Sequence, residues 1–174
     1  MNKQAAQQER TNELMEAIIK AGHHESRAAY VAALCAHLGC NPEEVEETRY
    51  DTRGTPTYDT PGGEYAVGTD EDADEACRQY ISESVWAFRA AFILEFCGLP
   101  MELEQAIETF QRDKCEGAND ALLKLVTLAG EGSVSGFADA AVSADGRGHF
   151  LNSYDGTEEE QDVNSTAYFI YRTN

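Results

Sequence analysis

The chain has 174 residues, 42% of them hydrophobic, and sets 32 Asp and Glu against 13 Lys and Arg for a formal net charge of −19. Charge of that size costs stability through self-repulsion; it also repels phosphates, which excludes direct binding of bare nucleic acid. No run approaches the ~18–20 apolar residues that span a bilayer, and the polar start, Met1 to Arg10, has no signal-peptide core, so the expectation is no membrane and a cytoplasmic setting.

Residues 3–21 read as a polar helix with a narrow apolar stripe, Leu14, Ile18 and Ile19, ended by Gly22. That stripe offers a surface for a second copy, so a homodimer or an adaptor working through helix contacts is one reading. A second helix spans His24 to Leu38 and stops at Gly39. Asn41-Pro42-Glu43-Glu44 has the form of a third helix start, with Asn41 as N-cap and the helix ending near Thr48. Residues 49–63, dense in Gly, Pro, Asp and Thr, read as a loop or linker. The expected organisation is therefore a helical module at 1–48, the linker, and an α+β core domain at 64–174.

Glu64 to Gly68 is the first credible strand. Thr69 then caps a long helix reaching about Cys97, with Asp72 at the capping-box position and apolar residues at three- and four-residue spacing from Ala73 to Phe96. Gly98 and Pro100 stop it. Shorter helices follow near 101–114, 119–129 (capped by Asn119) and 134–143. The segments 149–154 and 166–172 are rich in β formers, with the acidic stretch 157–162 between them. The fold class is α+β: mainly helical, with a two- to three-stranded antiparallel sheet from the C-terminal strands, joined by 64–68.

Nearly half of the acids fall in three stretches free of Lys and Arg: 41–48, 64–75 and 155–162. Two of these lie at helix starts, where the dipole accepts anions at a gain of ~0.3–1 kcal/mol each. Caps plus a solvated turn are one reading. The other is an extended anionic surface that imitates phosphates and occupies a basic groove on a partner protein. Its residues would be Glu43, Glu44, Glu46, Glu47, Asp70, Glu71, Asp72, Asp74, Glu75, Glu158, Glu159, Glu160 and Asp162. If mimicry is right, the three stretches share a face.

The acids lack the central Gly and alternating ligands of a calcium loop. The five cysteines, odd in number and widely spaced, read as free thiols rather than a disulfide or zinc framework. No metal or other cofactor is expected.

The most motif-like string is Asp145-Gly-Arg-Gly-His-Phe-Leu-Asn-Ser-Tyr-Asp-Gly156. It is open to two readings. One is a ligand site in which Arg147 recognises phosphate or carboxylate, His149 exchanges protons with Asp145 or Asp155, and Tyr154 donates a hydrogen bond. The other is a tight helix-to-strand connection in which Arg147 neutralises neighbouring acids. No nucleophile elbow, P-loop, zincin or dinucleotide fingerprint is present, and the balance favours a binding protein over an enzyme.

Three pieces together carry a resemblance: Glu64-Tyr-Ala-Val-Gly-Thr-Asp-Glu-Asp-Ala-Asp-Glu75 leading to Trp86-Ala-Phe88, the string Asp145–Phe150 with Tyr154-Asp-Gly156, and the terminal Tyr168-Phe-Ile-Tyr-Arg-Thr-Asn174. Residues 64–174 thereby resemble a group of small acidic proteins of bacteriophages and mobile elements, of unassigned function. Ala66 and Gly68 depart from the expected hydrophobic strand and suggest an edge. The resemblance implies a setting, the host cell cytoplasm, where an acidic protein serves as an inhibitor of a restriction or CRISPR system. The expected partner is a host protein with a basic nucleic-acid-binding groove.

Overall fold

The computed structural model describes residues 3–48, 53–129 and 133–174. In chain order the elements are α1 (Lys3–Lys20), α2 (Ala28–Leu38), β1 (Glu46–Glu47), β2 (Thr57–Thr60), β3 (Gly63–Gly68), α3 (Asp70–Glu83), α4 (Ala90–Phe96), α5 (Glu104–Lys114), α6 (Asn119–Leu128), α7 (Ser133–Asp145), α8 (Arg147–Leu151), β4 (Glu159–Val163) and β5 (Thr166–Arg172). The protein is mainly helical with an antiparallel sheet, as α+β requires. Two compact units emerge: Met1–Ala76 with Arg147–Asn174, and Cys77–Gly146.

The first unit holds the sheet, ordered β1-β2-β3-β5-β4 with every pair antiparallel. Five strands replace the expected two or three, because both edges are built from residues that are poor strand formers. β1 is Glu46-Glu47, so the helix expected at 42–48 is a single turn at Pro42–Glu44 followed by a strand. β4 is Glu-Glu-Gln-Asp-Val, where a turn was expected. β2 lies inside the segment read as a loop; residues 49–52 of that segment fall outside the described residues. Short, charged strands of this kind are tolerated at edges, where they discourage pairing with other chains.

β5 reads as a continuous apolar run because it is central and buried on both faces. Its alternation sends Tyr168 and Ile170 one way and Phe169 and Tyr171 the other. Tyr168 and Ile170 join Tyr58, Tyr65, Val67 and Val163 beneath α1 and α2, which contribute Ile18, Val31 and Leu34. Each large side chain so buried stabilises by ~1.5–3 kcal/mol. Leu14 and Ile18 of the apolar stripe are thus used within the unit, leaving Ile19 at 45% exposure.

β3 is interior, not an edge. Its small residues permit close packing: a Cβ on Gly68 would lie 2.9 Å from the Asp72 Cβ and 3.2 Å from the Thr55 Cγ2. The chain end closes this strand, with Thr173 N–H donating to the Glu64 carbonyl at 2.9 Å and Glu64 N–H to Asn174 Oδ1 at 2.7 Å.

The helix expected over 69–97 is broken. α3 stops at Glu83, residues 85–87 form one tight turn, and the backbone is extended at Phe88 before α4 starts. The broken hydrogen bonds are replaced from elsewhere in the second unit. Gln111 Nε2 donates to the Trp86 and Phe88 carbonyls at 2.9 and 2.7 Å. Asn119 Oδ1 accepts from Trp86 N–H at 3.2 Å and its Nδ2 donates to the Ser82 carbonyl at 2.8 Å, so Asn119 braces this break instead of capping α6. The core of this unit is Phe137, ringed edge-to-face by Phe88, Phe92 and Phe96 at 5.1–5.2 Å, pairs worth ~0.5–1.5 kcal/mol each beyond their burial.

Candidate functional site

The strand expected at 149–154 is instead α8, and the string around it forms a clasp in the first unit. Gly146 turns the chain at φ 80°. Gly148 then lets the helix touch the following loop: a Cβ there would lie 2.3 Å from the Gly156 carbonyl oxygen. Phe150 and Leu151 are buried. Asn152 completes the turn, accepting from Tyr154 and Asp155 N–H at 2.9 and 3.0 Å and donating to the Thr157 carbonyl at 2.8 Å. Asp155 Oδ1 accepts from the Thr157 hydroxyl and N–H, and these bonds, the hydroxyl's first, hold its carboxyl below the usual range.

Arg147, its side chain 12% exposed, is the hub. Nε and Nη2 donate to the two oxygens of Glu158 at 2.8 and 3.2 Å, and Nη1 to Asp70 at 2.7 Å and Asp74 at 3.1 Å. Its guanidinium lies 4.2 Å over the Phe169 ring, and the Tyr171 hydroxyl donates to Glu158. Burial alone would lower the guanidinium pKa; the bonds to Glu158 and Asp70 reverse this and hold it above its ordinary value. One cation among three carboxylates leaves a local excess of negative charge.

The other residues of the ligand-site reading are engaged separately. Tyr154 is exposed, with the Arg172 guanidinium 3.8 Å over its ring. His149 is exposed, edge-on to Phe150. Among the described residues no hydrogen bond joins His149 to Asp145 or Asp155.

Several acids have local duties. Asp72 accepts from Thr69 N–H and hydroxyl at 2.8 Å, closing the expected capping box, and from the Tyr30 hydroxyl at 3.1 Å. Glu44 accepts from Asn41 N–H at 2.8 Å. Glu47 faces Arg27 at 3.5 Å.

Strand register sorts the rest between the two faces of the sheet, since cross-strand partners share a face. Glu47 pairs with Tyr58 and Glu159 with Ile170, on the α1–α2 face. Glu46 pairs with Asp59 and Asp59 with Glu64, an acidic row on the opposite face. Glu160 pairs with Phe169 on that same face, and Asp162 follows it two residues on. The face beneath Arg147 therefore collects Glu46, Glu160 and Asp162 with the cluster of Asp70, Asp74 and Glu158. Glu43, Glu71 and Glu75 are exposed. Asp59 and Glu64 complete the row. Asp59 was hidden from the sequence because it lies in the segment read as a loop. Asn152 carried a legible signal, since a polar turn former precedes Asp155-Gly156.

Comparisons with protein-family models, curated proteins and solved structures find no match to the chain.

Proposed function

We propose that the protein is a non-enzymatic acidic inhibitor of bacteriophage or mobile-element origin. It works in the host cytoplasm by occupying the basic nucleic-acid-binding groove of a defence protein of the restriction or CRISPR kind. The observation that supports this reading most is the acidic sheet face. Glu46 from the first base-free stretch and several acids of the other two lie on it or are gathered to it by Arg147, although they are far apart in sequence, while Glu47 and Glu159 lie on the opposite face. Caps and solubility would not require that convergence. The ligand-site reading is less favoured, because the planar fork that would hold a phosphate is already filled by Glu158, Asp70 and Asp74.

The test is capture of partners from a bacterial lysate at low and high salt. A phosphate mimic retains a basic nuclease or nucleic-acid-binding protein at low ionic strength and releases it as salt screens the contact. The nuclease's own DNA should compete. Binding that ignores both salt and DNA would refute mimicry.

A further inference from the structure

Gly39 ends α2 in the left-handed region, φ 67°, with its N–H donating to the Cys35 carbonyl at 2.8 Å. This reversal folds Cys40 back over the last turn of the helix. There the Cys40 thiol donates to Cys35 Sγ at 3.8 Å. Cys35 is 5% exposed among Val31 and Leu34, and Cys40 is half-buried at the margin of the same core. Five residues apart, the pair has no redox spacing that sequence would flag.

We propose that Cys35 and Cys40 are a redox couple that closes to an intramolecular disulfide when the glutathione pool is oxidised. The bond length of a disulfide is about 2.05 Å, so the sulfurs need to approach by less than ~2 Å, within reach of side-chain rotation. The oxidant is oxidised glutathione. The Cys40 thiolate attacks one of its sulfurs, breaking the glutathione S–S bond and releasing one glutathione thiolate. Cys35 then loses its proton to solvent, and its sulfur attacks Cys40 Sγ, expelling the second glutathione. Two protein thiols and one glutathione disulfide thus become one protein disulfide and two glutathiones. In a reducing cytoplasm such a bond is transient, which suits a sensor rather than a staple.

The order of attack follows from the surroundings. Burial, then the Cys40 thiol and the Glu44 and Glu43 carboxylates, push the Cys35 thiol up to about 12. Cys35 is therefore the slow, resolving sulfur, and closure quickens as pH rises and its thiolate fraction grows. The closed bond ties the end of α2 to the turn that presents Glu43 and Glu44.

The test treats the full chain with excess oxidised glutathione in mildly alkaline buffer, then denatures, alkylates and maps the peptides by mass. The expected product links Cys35 to Cys40, is lighter by two hydrogens, reverts with dithiothreitol, and forms faster as pH rises. Cys40→Ser abolishes it, and Cys35→Ala leaves glutathione on Cys40. Alkyl label on both residues after treatment, or wild-type protein that stops at glutathionylated Cys40, would overturn the proposal. If Cys35→Ala does not fold, the wild-type map and Cys40→Ser decide alone.

Discussion

Arg147 grips Glu158 in a two-point fork, Nε to Oε2 at 2.8 Å and Nη2 to Oε1 at 3.2 Å, and so ties α8 to the lead-in of β4. The remaining nitrogen reaches Asp70 in the first turn of α3 and Asp74 just beyond it. A charge held at 12% exposure has given up most of its water, and the three carboxylates replace it.

Arg147→Ala should therefore cost more than a surface pair. Asp70 is 74% exposed, so its share is screened; the half-buried Glu158 contact and the loss of packing on Phe169 dominate. A destabilisation of about 2–3 kcal/mol is expected, below the range for fully buried pairs. Arg147→Lys should recover less than half of it, because an ammonium cannot serve both oxygens of Glu158 and Asp70 together. Urea unfolding of the three proteins measures this. Equal stability of wild type and Arg147→Ala would mean the cluster contributes nothing to folding.

Gly148 makes a sharper prediction. Its missing Cβ would sit 2.3 Å from the Gly156 carbonyl oxygen and 2.8 Å from the Thr157 carbonyl carbon, both backbone atoms that no rotamer change can move. Gly148→Ala should cost about 2–3 kcal/mol, the upper range for overpacking. Gly146 differs: it needs φ 80°, yet nothing lies within 4 Å of its would-be Cβ. Gly146→Asn should cost only about 1 kcal/mol, since Asn enters the left-handed region with modest penalty. Thermal unfolding of both variants separates steric from conformational demand.

These two glycines also show what the sequence disclosed and what it withheld. Glycines flanking Arg147 announced a tight connection with a projecting side chain, and the connection is there. The segment 149–154 has the look of a strand because Phe150 is a good strand former, yet Phe150 and Leu151 are buried from a five-residue helix, which the close approach of Gly148 to the Gly156 backbone permits. The same logic hid both sheet edges. Glu46-Glu47 and, Val163 apart, Glu159–Val163 are poor strand formers, and only pairing with β2 and β5 makes them strands. The capping box at Thr69 and Asp72 was legible because it is local. The break at Ser84 was not, since its compensating groups, Gln111 and Asn119, lie more than twenty residues on. The acidic face required the register of all five strands, which no local pattern contains.

Alkaline pH should weaken the protein through Tyr30 and Tyr168, whose rings meet at 5.2 Å. Burial first, and Asp72 second, raise both hydroxyls above the ordinary value of 10.0. The folded state therefore keeps these protons longer than the unfolded chain does. The associated stability is complete below pH 10 and declines as pH climbs through the folded values. Tyr30→Phe removes one of the two groups, so its stability should fall less steeply with pH than that of the wild type. Chemical unfolding in a series of alkaline buffers gives the two slopes; identical slopes would contradict the assignment.

Glu159 and Glu160 give the cleanest test of the acidic face, because they are adjacent, both exposed, and on opposite sides of the sheet. Glu159 pairs with Ile170 on the α1–α2 side, Glu160 with Phe169 on the side of Arg147. Replacing either with Gln removes the same unit of charge, so the change in net charge cannot distinguish them. If a basic partner docks on the Arg147 face, Glu160→Gln should weaken binding several-fold and flatten its salt dependence, because rim charges act on encounter rate and screening, and adding Asp162→Asn on the same face should deepen the loss. Glu159→Gln should change affinity by less than twofold. Adding Glu46→Gln and Asp59→Asn, across the sheet in the acidic row, should deepen the loss if the docked surface reaches the far strands. Equal effects of Glu159→Gln and Glu160→Gln on binding to a basic nuclease would show that net charge alone attracts the partner, and the face would lose its role.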